Sequence, residues 1–461
     1  MMNRWISKRL VILGAARQGL ALAKYLSRHG VEITITDQKG EGKLQVVKEE
    51  LQEFKIQWAL GGHPLELLDT ADGLAVSGGV PLDIPIVKEA QHRGIPLTND
   101  SQIFLEEVPC PVIGITGSAG KTTTTMLVGK MAEIAFGKDR SWVGGNIGNP
   151  LINNVDQMSE DHIAVMELSS FQLEIMDSSP GVACVLNVTP NHLDRHGTME
   201  AYTRAKARIL DNQGGSDSAV LNRDDPGSWA LRDRVQGKLI TFGRDKPGKG
   251  TAGAYLDGEW INYWDGGESQ ELVPLSSILL RGEHNKLNVL AACAIGSAAG
   301  LPVEAIRKGA GEIAGVEHRL EYVRSWGGGD WFNDSIATAP ERAIAAIKSF
   351  QEPLVLLAGG RDKDLPWDDF SRLVNDRVRV VVCFGEAADL IQESLQSASG
   401  EEEKIPLIHS CSGLREAVGI AARVVRDGDV VLLSPGGTSF DEFVDFAERG
   451  EMFRKWVHEL S

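Results

Sequence analysis

Short apolar runs separated by amphipathic stretches recur along the whole chain. Runs at 10–14, 31–36, 73–76 and 95–98 are strand-length, and segments 19–29 and 86–93 carry apolar residues at helical spacing. Such an alternation marks parallel sheets covered by helices. It continues with predicted strands at 112–116, 163–167 and 182–188 and a helix at 199–210. A Gly/Asp turn inside 251–264 predicts a β-hairpin, and 283–300 and 303–311 read as two helices. The last third predicts strands at 354–358, 378–384 and 430–434, with helices at 340–350, 414–426 and 440–460. Pro109 and Pro111 flank Cys110 and mark a boundary, because each proline removes a ladder donor and restricts its predecessor. A second boundary falls near Val316. The expected fold class is therefore α/β with three domains, at 1–109, 110–315 and 316–461. That division suits 461 residues, at about 150 per domain.

Composition narrows the function. Asp and Glu number 64 against 47 Lys and Arg, a formal net charge of −17. That balance argues against a general nucleic-acid binder, which needs a basic face. No apolar run reaches the ~18 residues of a bilayer span, so no membrane anchor is expected. Five scattered cysteines without a Cys-x-x-Cys pair fit a reducing cytoplasm and argue against a disulfide framework or structural zinc.

The strongest chemical signal is at 112–123, Val-Ile-Gly-Ile-Thr-Gly-Ser-Ala-Gly-Lys-Thr-Thr. An apolar strand runs into a Gly-rich turn and then a helix, which aims backbone N–H groups and a helix dipole at phosphate oxygens. Gly117, Ser118, Ala119 and Gly120 would form the cradle. Lys121 would reach the outer phosphates, and Thr122, followed by Thr123, would offer a hydroxyl to Mg²⁺. The strict pattern asks for Gly where this chain has Ile115.

Glu167 ends the predicted strand 163–167. Beside a phosphate loop, a carboxylate there is well placed for Mg²⁺. After the next strand, Asn187-Val-Thr-Pro-Asn-His-Leu-Asp-Arg-His gathers His192 and Asp194, which could serve a metal or phosphates. Lys206, on a helix, reads by itself as a solvated lysine. In the first domain Gly14-Ala-Ala-Arg-Gln-Gly leads from strand to helix, and Asp37 ends the next strand. This invites a dinucleotide site, but Ala16 replaces the middle glycine of G-x-G-x-x-G.

Taken in order, the 116–123 loop, Gly144-Gly-Asn-Ile-Gly, the 167–172 run, the 187–195 run, Gly282-Glu-His-Asn, His318-Arg319, Asn333-Asp-Ser and Leu433-Ser-Pro resemble the Mur ligases over nearly the whole chain. The run Glu167-Leu-Ser-Ser-Phe-Gln-Leu-Glu is similar to the branch that adds D-glutamate to UDP-N-acetylmuramoyl-L-alanine. The resemblance implies Rossmann-like outer domains and a P-loop ATPase-like centre. It implies a cytoplasmic enzyme of peptidoglycan synthesis that makes an amide bond through an acyl phosphate, using ATP and two Mg²⁺ ions. Thr122 and Glu167 would hold one ion. His192 and Lys206, carboxylated on its amine, would hold the second, and catalysis would rest on Lys121, Glu167, His192 and Lys206. Asn285, Asn288, Arg319 and Asp334 would reach ATP. Gly14, Ala16, Arg17, Asp37, Ser77, Gly78 and Gly79 would line the uridine-nucleotide site, with Asn146 and Gln172 on the sugar and peptide. Thr338, Lys363, Ser439 and Phe446 would take glutamate. A monomer acting on small molecules is expected.

The chain departs from the family pattern twice. A lysine usual after Asp-Ser is here Ile336, and Ser-Pro-Ala-Cys-Ala-Ser becomes Ser434-Pro-Gly-Gly-Thr-Ser. Arg361 is the candidate replacement cation. The change leaves L-glutamate as an alternative to D-glutamate; the competing readings of the whole chain are a sibling Mur ligase, a folylpolyglutamate-type synthetase, a nucleotide-dependent switch and an NAD-linked oxidoreductase.

Overall fold

A computed structural model describes residues 4–313, 317–398 and 406–461. The expected boundary at 315/316 lies outside the described residues. The chain forms two compact units, Met1–Ser277 with Leu287–Glu312 and Ile278–Lys286 with Ile313–Ser461.

The first unit holds two sheets. One has the order Ile56–Leu60, Glu32–Asp37, Arg9–Leu13, Gly73–Val76, Leu97–Thr98, all parallel. The second runs Ser269–Pro274, Trp260–Trp264, Ala252–Asp257, Lys238–Phe242, Ser218–Asn222, Val182–Val185, Val112–Thr116, Ile163–Glu167, Ser141–Gly145. It is parallel except for the antiparallel pairs at its hairpin edge. The buried strands Val112–Thr116 and Ile163–Glu167 show no polar face, because helices cover both sides of a parallel sheet. One apolar cluster runs from Leu10 and Ile33 in the first sheet through Phe104 and Leu151 to Val185 and Leu221 in the second, so the two sheets share a core.

The second unit has one sheet in the order Glu321–Trp326, Gly329–Asn333, Val430–Gly436, Leu354–Gly359, Val378–Phe384, Leu407–Cys411. Only its first pair is antiparallel. Ligand sites in such sheets form beyond the carboxyl ends of the strands, where the expected site residues fall.

Several expected bounds move. The strand expected at 182–188 ends at Val185, because Asn187 turns its carbonyl to Ser118 N. The strand expected at 95–98 shortens to Leu97–Thr98, since Ile95 N bonds back to Ala90 O at a helix end. The helix expected at 340–350 is Pro340–Ile347. The one expected at 440–460 is Phe446–Glu459, because the Asp445 carboxylate caps Glu448 N and fixes the start. Phe440 and Val444, inside the expected helix, are exposed.

Candidate active site

In the first unit, the expected phosphate loop connects Val112–Thr116 to the helix Lys121–Phe136. Ile115 is a fully buried strand residue paired across to Glu167 and Cys184. The glycine missing from the strict motif is therefore replaced inside the sheet, ahead of the turn itself. Gly120 adopts φ 82°, and a Cβ there would lie 2.2 Å from Asn288 Oδ1. A side chain is excluded twice over, by conformation and by the approach of Asn288. This contact brings one expected ATP residue, Asn288, onto the loop. Ser118 Oγ donates to Thr189 O (2.9 Å) and accepts from Thr189 N (2.9 Å) and the Tyr202 hydroxyl (3.0 Å). Ala119 N donates to Asn187 Oδ1 at 2.8 Å. Thr123 is buried in the first turn of the helix.

Two lysines converge on one carbonyl. Lys121 Nζ lies 2.9 Å and Lys206 Nζ 2.8 Å from Gly117 O. Lys206 is 1 % exposed, so the solvated reading of this residue is overturned. Its side chain comes off the buried face of the helix Met199–Asp211, under Tyr202, whose ring centroid is 4.6 Å from Nζ. Burial holds its amine well below the ordinary lysine range. The charge of Lys121 pushes the same way, and Glu167 opposes both.

Glu167 is 2 % exposed at its strand end. Its Oε2 accepts from Thr122 Oγ1 (2.9 Å) and its Oε1 from Asn146 Nδ2 (2.8 Å). Among the described residues no three His, Cys, Asp or Glu side chains gather as a metal cluster. A single carboxylate with a hydroxyl is nonetheless the donor set that suits Mg²⁺, which keeps water and phosphate oxygens for its other positions. His192 sits at φ 53° before the short helix Leu193–His196. Its ring meets Phe171 edge-on at 5.1 Å. The side chain of Asp194 lies outside the described residues.

The expected nucleotide residues of the first domain gather at adjoining strand ends. Asp37 accepts from Ala15 N (2.8 Å) and Lys39 N (2.8 Å), pinning the loops after the first two strands together. Ala16 precedes the helix Arg17–Arg28. Gly19 is required because a Cβ there would meet Gly14 O at 2.1 Å. Ser77 Oγ donates to Gly14 O at 3.4 Å. A Cβ on Gly78 would lie 3.8 Å from Gln172 Cγ, whereas one on Gly79 would have nothing within 4 Å. Arg17 Nη2 donates to Asn146 O at 3.0 Å, and Gln172 Nε2 to Ser101 Oγ at 2.7 Å. These bonds tie the first sheet to the second around the expected acceptor residues. The fully buried Asp100 carboxyl, one residue before Ser101, is pushed up by burial to about 7.

In the second unit, Asp334 accepts from Ser434 Oγ (2.8 Å) and Leu320 N (3.2 Å). Burial raises its carboxyl to about 7, against the charge of Arg319. Arg319 also depresses His284, though burial is the larger cause there. Asn285 Nδ2 donates to Arg281 O at 2.7 Å. The expected glutamate residues follow adjacent strands of this sheet. Lys363 Nζ lies 3.4 Å from Thr338 Oγ1, Ser439 is buried, and Phe446 opens the last helix. Arg361 is bound by Glu386 at 2.7 and 2.9 Å, so the candidate replacement for the lysine lost at Ile336 has a carboxylate of its own.

Sequence reasoning missed Arg449, which is 0 % exposed. It donates to Ser335 Oγ (3.0 Å), Ser335 O (2.9 Å), Thr438 O (3.0 Å) and Gly437 O (3.1 Å). Burial lowers its guanidinium to about 10. A charged residue on an amphipathic helix gives no sign in sequence that it points inward.

Family models match all three stretches of the chain. The Mur ligase MurD-like N-terminal domain covers residues 8–99, the Mur ligase middle domain 115–296, and the Mur ligase glutamate ligase domain 318–437. The chain belongs to the Mur ligase family. Among its Mur ligase relatives, the UDP-N-acetylmuramoylalanine–D-glutamate ligase of Symbiobacterium thermophilum is 38 % identical over 456 residues, covering 99 % of each chain. The protein of the same name from Pelotomaculum thermopropionicum is 38 % identical, covering 100 % of this chain and 99 % of that one. In fold, the chain is similar to the UDP-N-acetylmuramate-alanine ligase of Thermotoga maritima. The TM-score is 0.59 at 18 % identity, over 98 % of this chain and 99 % of that one. The three-domain α/β architecture of the Mur ligases is thus the architecture of this chain.

Proposed function

We propose that this Mur ligase joins D-glutamate to UDP-N-acetylmuramoyl-L-alanine in the cytoplasm, with ATP cleaved to ADP and phosphate. The observation that carries the reading is the convergence of Lys121 and Lys206 on Gly117 O beside the Glu167–Thr122 pair. The full-length relatives named as D-glutamate ligases supply the substrate pair.

A carboxylate is a poor acyl donor. Attack of the acceptor carboxylate on the γ-phosphate gives an acyl phosphate, and the glutamate amine then displaces phosphate through a tetrahedral intermediate. The loop amides and Lys121 answer the charge on the transferring phosphoryl group. Thr122 and Glu167 are the residues that would hold one Mg²⁺, which when bound adds positive charge against the phosphates. His192 and Lys206 are proposed for a second ion. Lys206 could serve it only as a carbamate, and a carbamate forms from the neutral amine; the depressed Lys206 supports this. Gly14, Ala16, Arg17, Asp37 and residues 77–79 would hold the nucleotide, with Asn146 and Gln172 nearer the peptide. Asn285, Asn288, Arg319 and Asp334 would serve ATP, and Thr338, Lys363, Ser439 and Phe446 glutamate.

Phosphate release from ATP tests this, with acceptor present and D-glutamate, L-glutamate or neither added. Release that requires acceptor and D-glutamate, with formation of the dipeptide nucleotide, is expected. A clear preference for L-glutamate would reject the enantiomer and make Ile336 part of a changed pocket.

A further inference from the structure

The Arg195 side chain ties the turn that carries His192 to the loop after the strand Gly73–Val76. The Arg195 guanidinium carbon lies 4.6 Å from the Phe171 ring centroid. Its Nη1 and Nη2 donate to the carbonyls of Gly79 (3.3 Å) and Val80 (3.2 Å). Phe171 is enclosed by the same turn. His192 meets it edge-on at 5.1 Å, and His196 stacks on it at 5.2 Å with planes 3° apart. His196 is anchored in turn, its Nε2 hydrogen-bonded with Ser170 Oγ at 3.0 Å. Arg195 therefore touches both sides of the expected acceptor site, the loop at 77–80 and the ring beside His192.

The chemistry suits a strap. A guanidinium can rest on an aromatic face and still direct its fork of donors at carbonyls, which an ammonium does less well. Each segment that it ties down has a local bond of its own, Val80 N to Ser77 O at 2.9 Å and Arg195 N to His192 O at 3.1 Å, and the Arg195 side chain adds bonds that join the two. Gly79 has open space where a Cβ would stand, and His192 is a non-glycine residue at positive φ.

We propose that Arg195 is a positioning residue for the acceptor, holding the nucleotide-binding loop at 77–80 and the His192 turn in one frame. This rests on the reading above that places the acceptor's nucleotide along residues 77–79. With the frame fixed beforehand, binding does not have to order the loop, and the reacting carboxylate arrives in register with the phosphate loop. ATP should not sense the strap, because the bonds of Ser118, Lys121 and Asn187 that shape the phosphate loop do not include Arg195.

The test uses the full chain with Arg195→Met and Arg195→Lys. It reads KM for each of the three substrates, kcat, and calorimetric binding of UDP-N-acetylmuramoyl-L-alanine without ATP. Arg195→Met is expected to raise acceptor KM and Kd about tenfold, as loss of a pair of charge-assisted hydrogen bonds implies. KM for ATP and D-glutamate should stay within about twofold. Arg195→Lys, keeping the charge without the fork, should fall between wild type and Arg195→Met. An unchanged acceptor KM in Arg195→Met would overturn the proposal, as would an equal rise in all three KM values. A wild-type chain that neither binds nor ligates this acceptor would instead reject the functional reading, and the proposal with it.

Discussion

Among the described residues each compact unit buries one long cation, and the two are buried to different ends. Lys206 in the first unit and Arg449 in the second are 1 % and 0 % exposed. Lys206 donates to Gly117 O, which Lys121 also approaches, and a second positive charge makes its own charge still harder to keep. Arg449 spreads four hydrogen bonds over Ser335, Gly437 and Thr438. Even lowered to about 10, its guanidinium stays charged at neutral pH. Desolvation is common to both. A point charge on a flexible stem answers it by giving up a proton, and a planar fork answers it with geometry. The lysine is therefore the cation whose charge burial and Lys121 both oppose. The arginine becomes a brace for the loops that carry Thr338 and Ser439, through its bonds to Ser335, Gly437 and Thr438.

The sharpest way to break this contrast is to exchange Lys206 for methionine, which keeps the volume and removes the amine. Ligation is expected to fall about 10²–10³-fold, the usual cost of losing a group aimed at developing charge, while the urea midpoint does not fall, since the methionine carries no buried charge. A variant with more than about a tenth of wild-type kcat would reduce Lys206 to a packing residue. If the amine is carboxylated, wild type supplied with ¹³C-labelled bicarbonate should show a carbamate carbon signal that Lys206→Met lacks.

Arg449→Met should invert the pattern. It strands the carbonyls of Ser335, Gly437 and Thr438 in a dry site, and the second unit should lose about 3 kcal/mol of stability. Urea unfolding measures the loss. Amide exchange at 335–338 and 437–439 should quicken before the rest of the sheet. A loss under about 1 kcal/mol would show that the brace is dispensable.

The contrast also marks what the sequence could disclose. The strands Val112–Thr116, Ile163–Glu167 and Val378–Phe384 match their expected bounds residue for residue, since buried parallel strands write continuous apolar runs. The strand–turn–helix at 112–136 is legible for a related reason: its glycines answer local backbone geometry, with Gly120 at φ 82°, which a short motif can encode. Lys206 and Arg449 were not legible from periodicity, because both lie on amphipathic helices where a long cation normally faces water. Only the resemblance singled out Lys206, and nothing singled out Arg449. Arg195 and Gln102 were missed for another reason. The Gln102 carboxamide accepts from Asp177 N at 2.9 Å and donates to Ser178 Oγ at 2.8 Å, across 75 and 76 residues of chain, and such long-range bonds leave no local pattern.

A pH series sharpens the lysine half. Lys206 has a folded pKa below its unfolded value, so the unfolded state binds more protons in the window between the two. Its destabilising cost is complete below the folded pKa and fades as pH rises toward the ordinary lysine value of about 10.4. Stability of wild type relative to Lys206→Met should therefore improve from pH 7 to pH 10. A difference that is flat over that range would mean that Lys206 carries no depressed pKa.

The smallest expected effect concerns the cation lost at Ile336. Arg361 and Glu386 are each about half exposed, at 48 % and 56 % of side-chain surface, so their pairing adds little to stability, at most about 1 kcal/mol. Its consequence would lie in binding instead. If Lys363 takes the substrate carboxylate as proposed, Glu386 in the Arg361 fork would leave it with less help than a second free cation would give. Glu386→Gln frees the fork without changing its position in the chain. If Arg361 replaces the missing lysine, KM for D-glutamate should fall about two- to threefold, a gain of under 1 kcal/mol. The gain should shrink with added salt, as an exposed charge requires, and KM for ATP should not move. An unchanged or higher KM for D-glutamate would make the Arg361–Glu386 pair a surface brace. The second unit would then answer the substrate's charge through Lys363, with the buried Arg449 holding its loops in place.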